Sequence, residues 1–331
     1  MNLDKIKFML DKFLTDLKTP KLRYPLAADI SSSHLGEYYF VFQEKRVSAG
    51  KDQKLISKFD ENGIPINKTY IDVTDKDYVY FPISIGQMGL SVYHTWLETS
   101  NEEDKHRFLK FADWFEQYAE ITPELGARWL TDVKLPQYRN PGPWASAFSQ
   151  SRAISILLRA YQITGKNKYA ELAELALKSF TVDVDEGGVT QFTKWGNWYE
   201  EYTADVPTMV LNGMIFALFG LQDFVRVFPK HQQAKRLLED GLNCVANTMH
   251  LFDLGFWSRY NYCRIKWHPE VDPATIQYQR LHISQLQILH RLTSKKIFAD
   301  YIKKFQKQDN LLNALKMYKL KISSLKQIGR L

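Results

Sequence analysis

Between Pro82 and Gln306 the chain passes through eight stretches whose apolar residues recur with helical period, joined by short connections. They are Pro82–Glu98, Glu102–Ala119, Trp144–Thr164, Asn167–Phe180, Pro207–Phe228, Lys230–Leu251, Pro273–Arg291 and Ser294–Gln306. Short connections force consecutive helices to lie antiparallel, and each helix must bury its apolar face against neighbours. Eight helices arranged as pairs therefore predict an α/α toroid, an incomplete α/α barrel. Local punctuation agrees: Pro82, Pro207 and Pro273 stand near helix starts, where a missing amide hydrogen costs least, and Gly165 follows Thr164 as a helix stop.

Ahead of the toroid the character changes. An amphipathic helix is expected over Asn2–Leu17, followed by a small β-rich region. Its signals are the aromatic run Tyr38–Phe42 and a hairpin across Leu55–Ile64 turning at Asp60-Glu61-Asn62-Gly63. The expected fold is mainly α with this β-rich N-terminal region, divided as 1–76, a toroid over 77–308, and a C-terminal helix over 309–331. Gly187–Phe192, Trp198–Tyr202 and Phe256–Ile265 are expected as strands or ordered loops at one mouth of the bowl, where sites on such scaffolds lie.

Charge is concentrated at one end. From Lys303 onward eight basic side chains face one acid, Asp309, which equals the formal net charge of +7 for all 331 residues and leaves the remainder neutral. Within this tail Leu311, Leu315, Tyr318, Ile322 and Leu325 form an amphipathic stripe. It reads as a helix docking on its own chain or on a second subunit, or as a contact to an anionic membrane surface or polyanionic glycan. Nucleic acid is not an expected partner, since no zinc-finger spacing or RNA-binding aromatic motif occurs. Two cysteines, Cys244 and Cys263, provide no disulfide framework, the histidines lack metal-ligand spacing, and no secretory signal pattern opens the chain. A cytoplasmic protein without metal or cofactor is the expectation.

The densest chemistry lies in Trp198-Tyr199-Glu200-Glu201-Tyr202, just before Val210-Leu211-Asn212-Gly213. Together with Tyr80–Leu90, Gly142–Gln150, Asp253–Tyr260 and Tyr278–Leu286, taken in order, these segments resemble the catalytic C-terminal part of the D-glucuronyl C5-epimerase family. The resemblance spans about Tyr78 to Phe305 and implies conversion of D-glucuronate to L-iduronate within heparosan- or heparan-like polymers. It implies catalytic roles for Tyr202, Tyr260 and Tyr278, with Glu201 beside them, and an anionic polysaccharide substrate. It also implies a homodimer, to which the C-terminal helix contributes. The family pattern has an arginine three residues after its second tyrosine, where this chain has Cys263 followed by Arg264. On a regular strand Arg264 shares a face with Tyr260 and Tyr262. After Gln150 the family has Gly-Gln; here Ser151-Arg152 stands.

Epimerisation at C5 removes a proton next to a carboxylate and returns it on the other face of the ring. The enolate-like species needs cationic or hydrogen-bonding groups at the carboxylate, for which Arg264, Arg280, His282 and Asn212 are candidates. Tyrosine, with an ordinary pKa of about 10, acts as a base only with help from a neighbour. Tyr80 and Trp144 are candidates to stack on sugar rings, Gln87 and Gln150 to bond hydroxyls. A lyase expelling the 4-linked sugar after the same proton abstraction, or a glycan-binding protein without turnover, are the rival readings.

Overall fold

The computed structural model describes residues 11, 13–18, 20–48, 56–69 and 78–329. Of the first expected helix, residues 11 and 13–17 are among these and are helical; the rest of it lies outside the described residues, as does Arg330. The N-terminal region holds a short helix α1 (Glu44–Ser48) and an antiparallel sheet of β1 (Ile56–Phe59), β2 (Pro65–Lys68) and β3 (Tyr78–Val79). The expected hairpin turn forms at Asp60, whose carboxylate accepts the amides of Asn62 and Ile64. The run Tyr38–Phe42 is not a strand. It makes a single bridge, Leu26 to Phe40, and is held instead by His94, whose ring nitrogens lie 2.9 Å from the amides of Tyr38 and Phe42.

The eight expected helices are present: α2 (Pro82–Thr99), α3 (Glu102–Gln117), α4 (Ala147–Thr164), α5 (Asn167–Ala176), α6 (Leu211–Val227), α7 (Gln232–Thr248), α8 (Ile276–Thr293) and α9 (Lys296–Gln308). Helices α2, α4, α6 and α8 pack on one another in sequence as an inner layer, and each carries its hairpin partner outside. Burial follows this division. Helix α4 is buried continuously from Ala147 to Ala160, whereas α3 buries only a stripe of Phe108, Phe111, Ala112, Trp114 and Phe115.

Polar contacts fix the inner layer. Ser151 Oγ donates to the Phe216 carbonyl at 2.6 Å and accepts the Gly220 amide at 2.9 Å, knitting α4 to α6. Asp223 on α6 bonds Arg159 on α4 at 2.7 Å, and its other oxygen lies 3.3 Å from Arg226. All three side chains are buried, so the single Asp223 carboxylate offsets part of the charge of two guanidinium groups in a region of low dielectric. Arg152 lies fully buried nearby, its guanidinium 4.8 Å from the ring centres of Phe148 and Phe216 and 4.9 Å from that of Tyr38.

Two hairpins complete the toroid, β4 (Glu120–Thr122) with β5 (Gly126–Arg128) and β6 (Thr190–Thr193) with β7 (Gly196–Tyr199). Phe256–Ile265 is an ordered loop with isolated bridges, not a strand. The C-terminal helix α10 (Leu311–Gln327) docks on its own chain, against Trp257, Ala274 and Ile276. Its packed face meets the expected stripe at Tyr318, which packs on the same cluster, and departs from it elsewhere. Ala314, Met317 and Ser324 are buried while Leu311, Leu315 and Ile322 are exposed, because Ser324 Oγ bonds the Val271 carbonyl and Lys321 Nζ bonds Asp272. Among the described residues no helix is long and apolar enough to cross a membrane.

Candidate active site

The inner helices share one property that bears on function. The N-terminal ends of all four face a cleft of about 310 Å³, through Gln87 of α2, Phe148 of α4, Asn212 of α6 and Tyr278 of α8. The first turns of four helices thus border it, and their partial positive charge favours an anionic occupant nearby. Pro20, Lys21, Arg23 and Tyr24, with Phe40 and Phe42, also line it.

Glu201 is the acid in the cleft. It leaves strand β7 two residues after Tyr199 and is buried, with Oε2 accepting from Asn212 Nδ2 at 3.1 Å. Burial pushes its carboxyl up to about 7, although hydrogen bonds from Tyr202 and Asn212 pull the other way and the Glu200 charge adds to the rise. Glu200 is pushed up to about 7 by burial as well, but it serves the backbone: it accepts from Thr208 N, Thr208 Oγ1 and Met209 N. Those bonds hold Met209 at φ 46°, a conformation uncommon for a residue with a side chain, and so end the extended segment and start α6 at Leu211 rather than at Pro207.

The three tyrosines gather beside Glu201. Tyr202 lines the cleft, with its ring edge-on to Trp144 at 5.2 Å and tilted against Tyr138 at 5.8 Å. Tyr260 comes from the ordered loop, where its amide donates to the Asp272 carbonyl and its carbonyl accepts the Leu211 amide that opens α6. Tyr278 sits in the first turn of α8, which Thr275 caps by accepting the Tyr278 amide. The rings of Tyr260 and Tyr278 meet edge-on at 5.0 Å. Glu201 and Tyr202, Tyr202 and Tyr260, and Tyr260 and Tyr278 are electrostatic neighbours, each pair close enough for one side chain to shift the ionisation of the other. Burial drives Tyr260 well above its ordinary value and Tyr278 up to about 12, with the Glu201 charge adding to both. Neither is ionised near neutral pH.

The other residues singled out in the sequence divide cleanly. Gln87, Asn212 and Arg280 line the cleft with Glu201, Tyr202 and Tyr278. Arg280 lies 3.0 Å from Asp309 and donates to the Asp16 carbonyl. Trp144 is buried, bonds the Val133 carbonyl and supports Tyr202 from behind. Tyr80 is away from the cleft, bonded to Asp60 and packed on Trp114 and Tyr118. Gln150 is buried, with its amide bonded to the carbonyls of Ala127 and Ala176 and to Ser179. His282 is fully buried, 2.9 Å from Ser258 Oγ, and burial pushes it down to about 3, so it is a neutral ring.

Arg264 departs most from expectation. With no regular strand around it, its side chain is 56% exposed, 3.9 Å from Glu270 and over the ring of Tyr262, outside the cleft. Cys263 is buried among Phe81, Val133, Leu135 and Trp144. Sequence reasoning also missed Arg23 and Lys21, which line the cleft from a segment with no motif of its own. No group of three or more His, Cys, Asp or Glu with metal-holding geometry occurs among the described residues.

The chain is similar to known proteins in sequence and in fold. Over 225 residues the chain is 27% identical to an uncharacterized protein of Methanocaldococcus jannaschii, covering 63% of this chain and 70% of that one. Over 216 residues it is 26% identical to the D-glucuronyl C5-epimerase of Caenorhabditis elegans, covering 62% of this chain but only 35% of the nematode protein. Among solved structures, the cellobiose 2-epimerase of Bacillus thermoamylovorans B4167 aligns with a TM-score of 0.54 at 8% identity, over 91% of this chain and 87% of that one. At that identity the likeness concerns the α/α-barrel fold alone. The family described as D-glucuronyl C5-epimerase C-terminus matches residues 124–307, the stretch that supplies Glu201 and all three tyrosines, and the chain belongs to that family.

Proposed function

We propose that the cleft epimerises a uronate at C5 within an anionic polysaccharide of the heparosan type. The observation that carries this reading is the series Glu201, Tyr202, Tyr260 and Tyr278, whose members influence one another's ionisation and of which Glu201, Tyr202 and Tyr278 line a cleft beside the first turns of the four inner helices. A uronate carboxylate is the kind of charge that nearby helix N-termini favour.

The titration order supplies a mechanism. A buried neutral phenol is a poor base unless its own proton leaves as the substrate proton arrives. Glu201, ionised above about pH 7, is the acceptor at the end of the series. As a tyrosine oxygen takes the C5 proton, the phenolic proton moves along the series to Glu201, and the C5–H electron pair delocalises into the carboxylate as an enolate. A second tyrosine then donates its proton to C5 on the opposite face, and the series returns a proton to it from Glu201. The net change is inversion at C5 with no net redox change.

The test is incubation with heparosan and N-sulfated heparosan in deuterated water, followed by NMR. Deuterium at C5, iduronate signals and unchanged chain length support the reading. Chain shortening with unsaturated uronate ends identifies a lyase, and no exchange on a wider panel of uronate polymers sinks the proposal in favour of glycan binding.

A further inference from the structure

Proton removal beside a carboxylate is eased by cations or hydrogen-bond donors at that carboxylate, because charge develops on its oxygens, and a cation offsets that charge most directly. Arg264, exposed and outside the cleft, does not occupy such a place, and His282 is neutral. Three basic side chains line the cleft among the described residues: Lys21, Arg23 and Arg280. Arg280 is paired at 3.0 Å with Asp309 and donates to the Asp16 carbonyl. Lys21 is exposed at the rim.

We propose that Arg23 is the group that holds the carboxylate of the reacting uronate, a role that rests on the epimerase reading of the cleft. Arg23 Nη1 lies 3.3 Å from Gln277 Oε1, one residue before Tyr278, so the guanidinium stands beside the first turn of α8. It rests 5.3 Å from the centre of the Tyr24 ring, and its own carbonyl is bonded at 2.7 Å by Arg46 Nη1. The side chain is half-buried, which strengthens a charge-assisted bond relative to one in bulk water. Its planar fork matches a carboxylate, which a lysine ammonium does not. The Arg23 charge also lowers the cost of ionising Tyr278, opposing the Glu201 charge. One cation thereby serves both the enolate and a neighbouring phenol.

The experiment compares wild type, Arg23→Ala, Arg23→Lys and Arg264→Ala. Affinity for a heparosan oligosaccharide and for its carboxyl-reduced counterpart is measured by calorimetry, and C5 exchange in deuterated water is followed in parallel. Thermal melts establish that each variant is folded; if Arg23→Ala is not, the comparison rests on Arg23→Lys, which keeps the charge and loses the fork. Wild type is expected to prefer the acid. Arg23→Ala is expected to lose about tenfold in affinity for the acid and nothing for the reduced ligand, with kcat falling by about a hundredfold. Arg23→Lys is expected to fall between, and Arg264→Ala to keep the preference.

If wild type exchanges C5 and Arg23→Ala keeps both its kcat and its preference for the acid, the Arg23 assignment is wrong and the epimerase reading stands. Wild type that shows no preference for the acid also overturns the assignment. Wild type that never exchanges, yet prefers the acid through Arg23, removes the reaction while retaining Arg23 as the carboxylate anchor.

Discussion

Glu201 and Asn212 meet at 3.1 Å across the start of α6, and the contact exists because residue 213 has no side chain. A Cβ built on Gly213 falls 2.4 Å from Glu201 Oε2 and 2.3 Å from Glu201 Cβ, closer than real contacts allow. Gly213→Ala is therefore expected to push Glu201 away from Asn212 and Tyr202. Overpacking of this kind costs about 1–3 kcal/mol, and C5 exchange should fall further than stability does. Urea unfolding and exchange rates on the same variant check it, and an unchanged rate would separate Glu201 from the reaction.

The raised Glu201 carboxyl predicts the pH dependence of turnover. The group is protonated and unable to accept a proton below about 7, so kcat is expected to rise with pH through about 7 and then level off. Glu201→Gln should abolish this limb together with most activity. Glu200 titrates near the same pH but does not line the cleft, so survival of the limb in residual Glu201→Gln turnover would transfer it to Glu200.

Tyr260→Phe and Tyr278→Phe each remove one oxygen from the series and leave the edge-on ring contact in place. Each is expected to lower C5 exchange by at least about a hundredfold, the scale of a lost acid–base group, while moving stability by about 1 kcal/mol. Trp144→Phe offers a contrast. It leaves the Val133 carbonyl without its partner and a gap behind Tyr202, so it should destabilise by about 1–3 kcal/mol and lower activity through the position of Tyr202. Chemical denaturation alongside steady-state kinetics distinguishes the two patterns.

The eight helices were legible because their apolar period survives in every one, and the tyrosines because each lies in an ordered series of motifs. What was hidden depended on contacts between distant segments. Arg23 reaches the cleft only because residues 20–24 lie against α8, more than two hundred and fifty positions later, and nothing near Arg23 in sequence announces it. Tyr38–Phe42 has the composition of a strand, but its backbone finds the His94 ring instead of a ladder. Pro207–Val210 looked helical from its proline and apolar residues, yet the Glu200 carboxylate takes the amides of Thr208 and Met209. In α10 the leucines suggested the wrong face, since Ser324 and Lys321 anchor the helix through polar bonds that hydrophobic patterning does not register.

His94 offers a stability test independent of catalysis. Burial pushes its pKa from 6.5 down to about 3 in the folded chain, so it is neutral there at any pH above that. In the unfolded chain it takes up a proton as pH falls below 6.5. The unfolded state then binds more protons than the folded one, and stability is lost as pH falls from 6.5 toward 3, at up to about 1.4 kcal/mol per pH unit. Glu200 and Glu201 act in the opposite sense, because their folded pKa values near 7 lie above 4.5 and their contribution is lost as pH rises. Absolute stability curves mix the two effects, so the informative quantity is the difference between wild type and His94→Gln. That advantage should be largest at pH 7 and shrink by about 2 kcal/mol at pH 5, as His94 charges only in the unfolded wild type. Urea unfolding of both proteins at the two pH values measures it, and a constant difference would mean that the His94 ring is not held neutral between the amides of Tyr38 and Phe42.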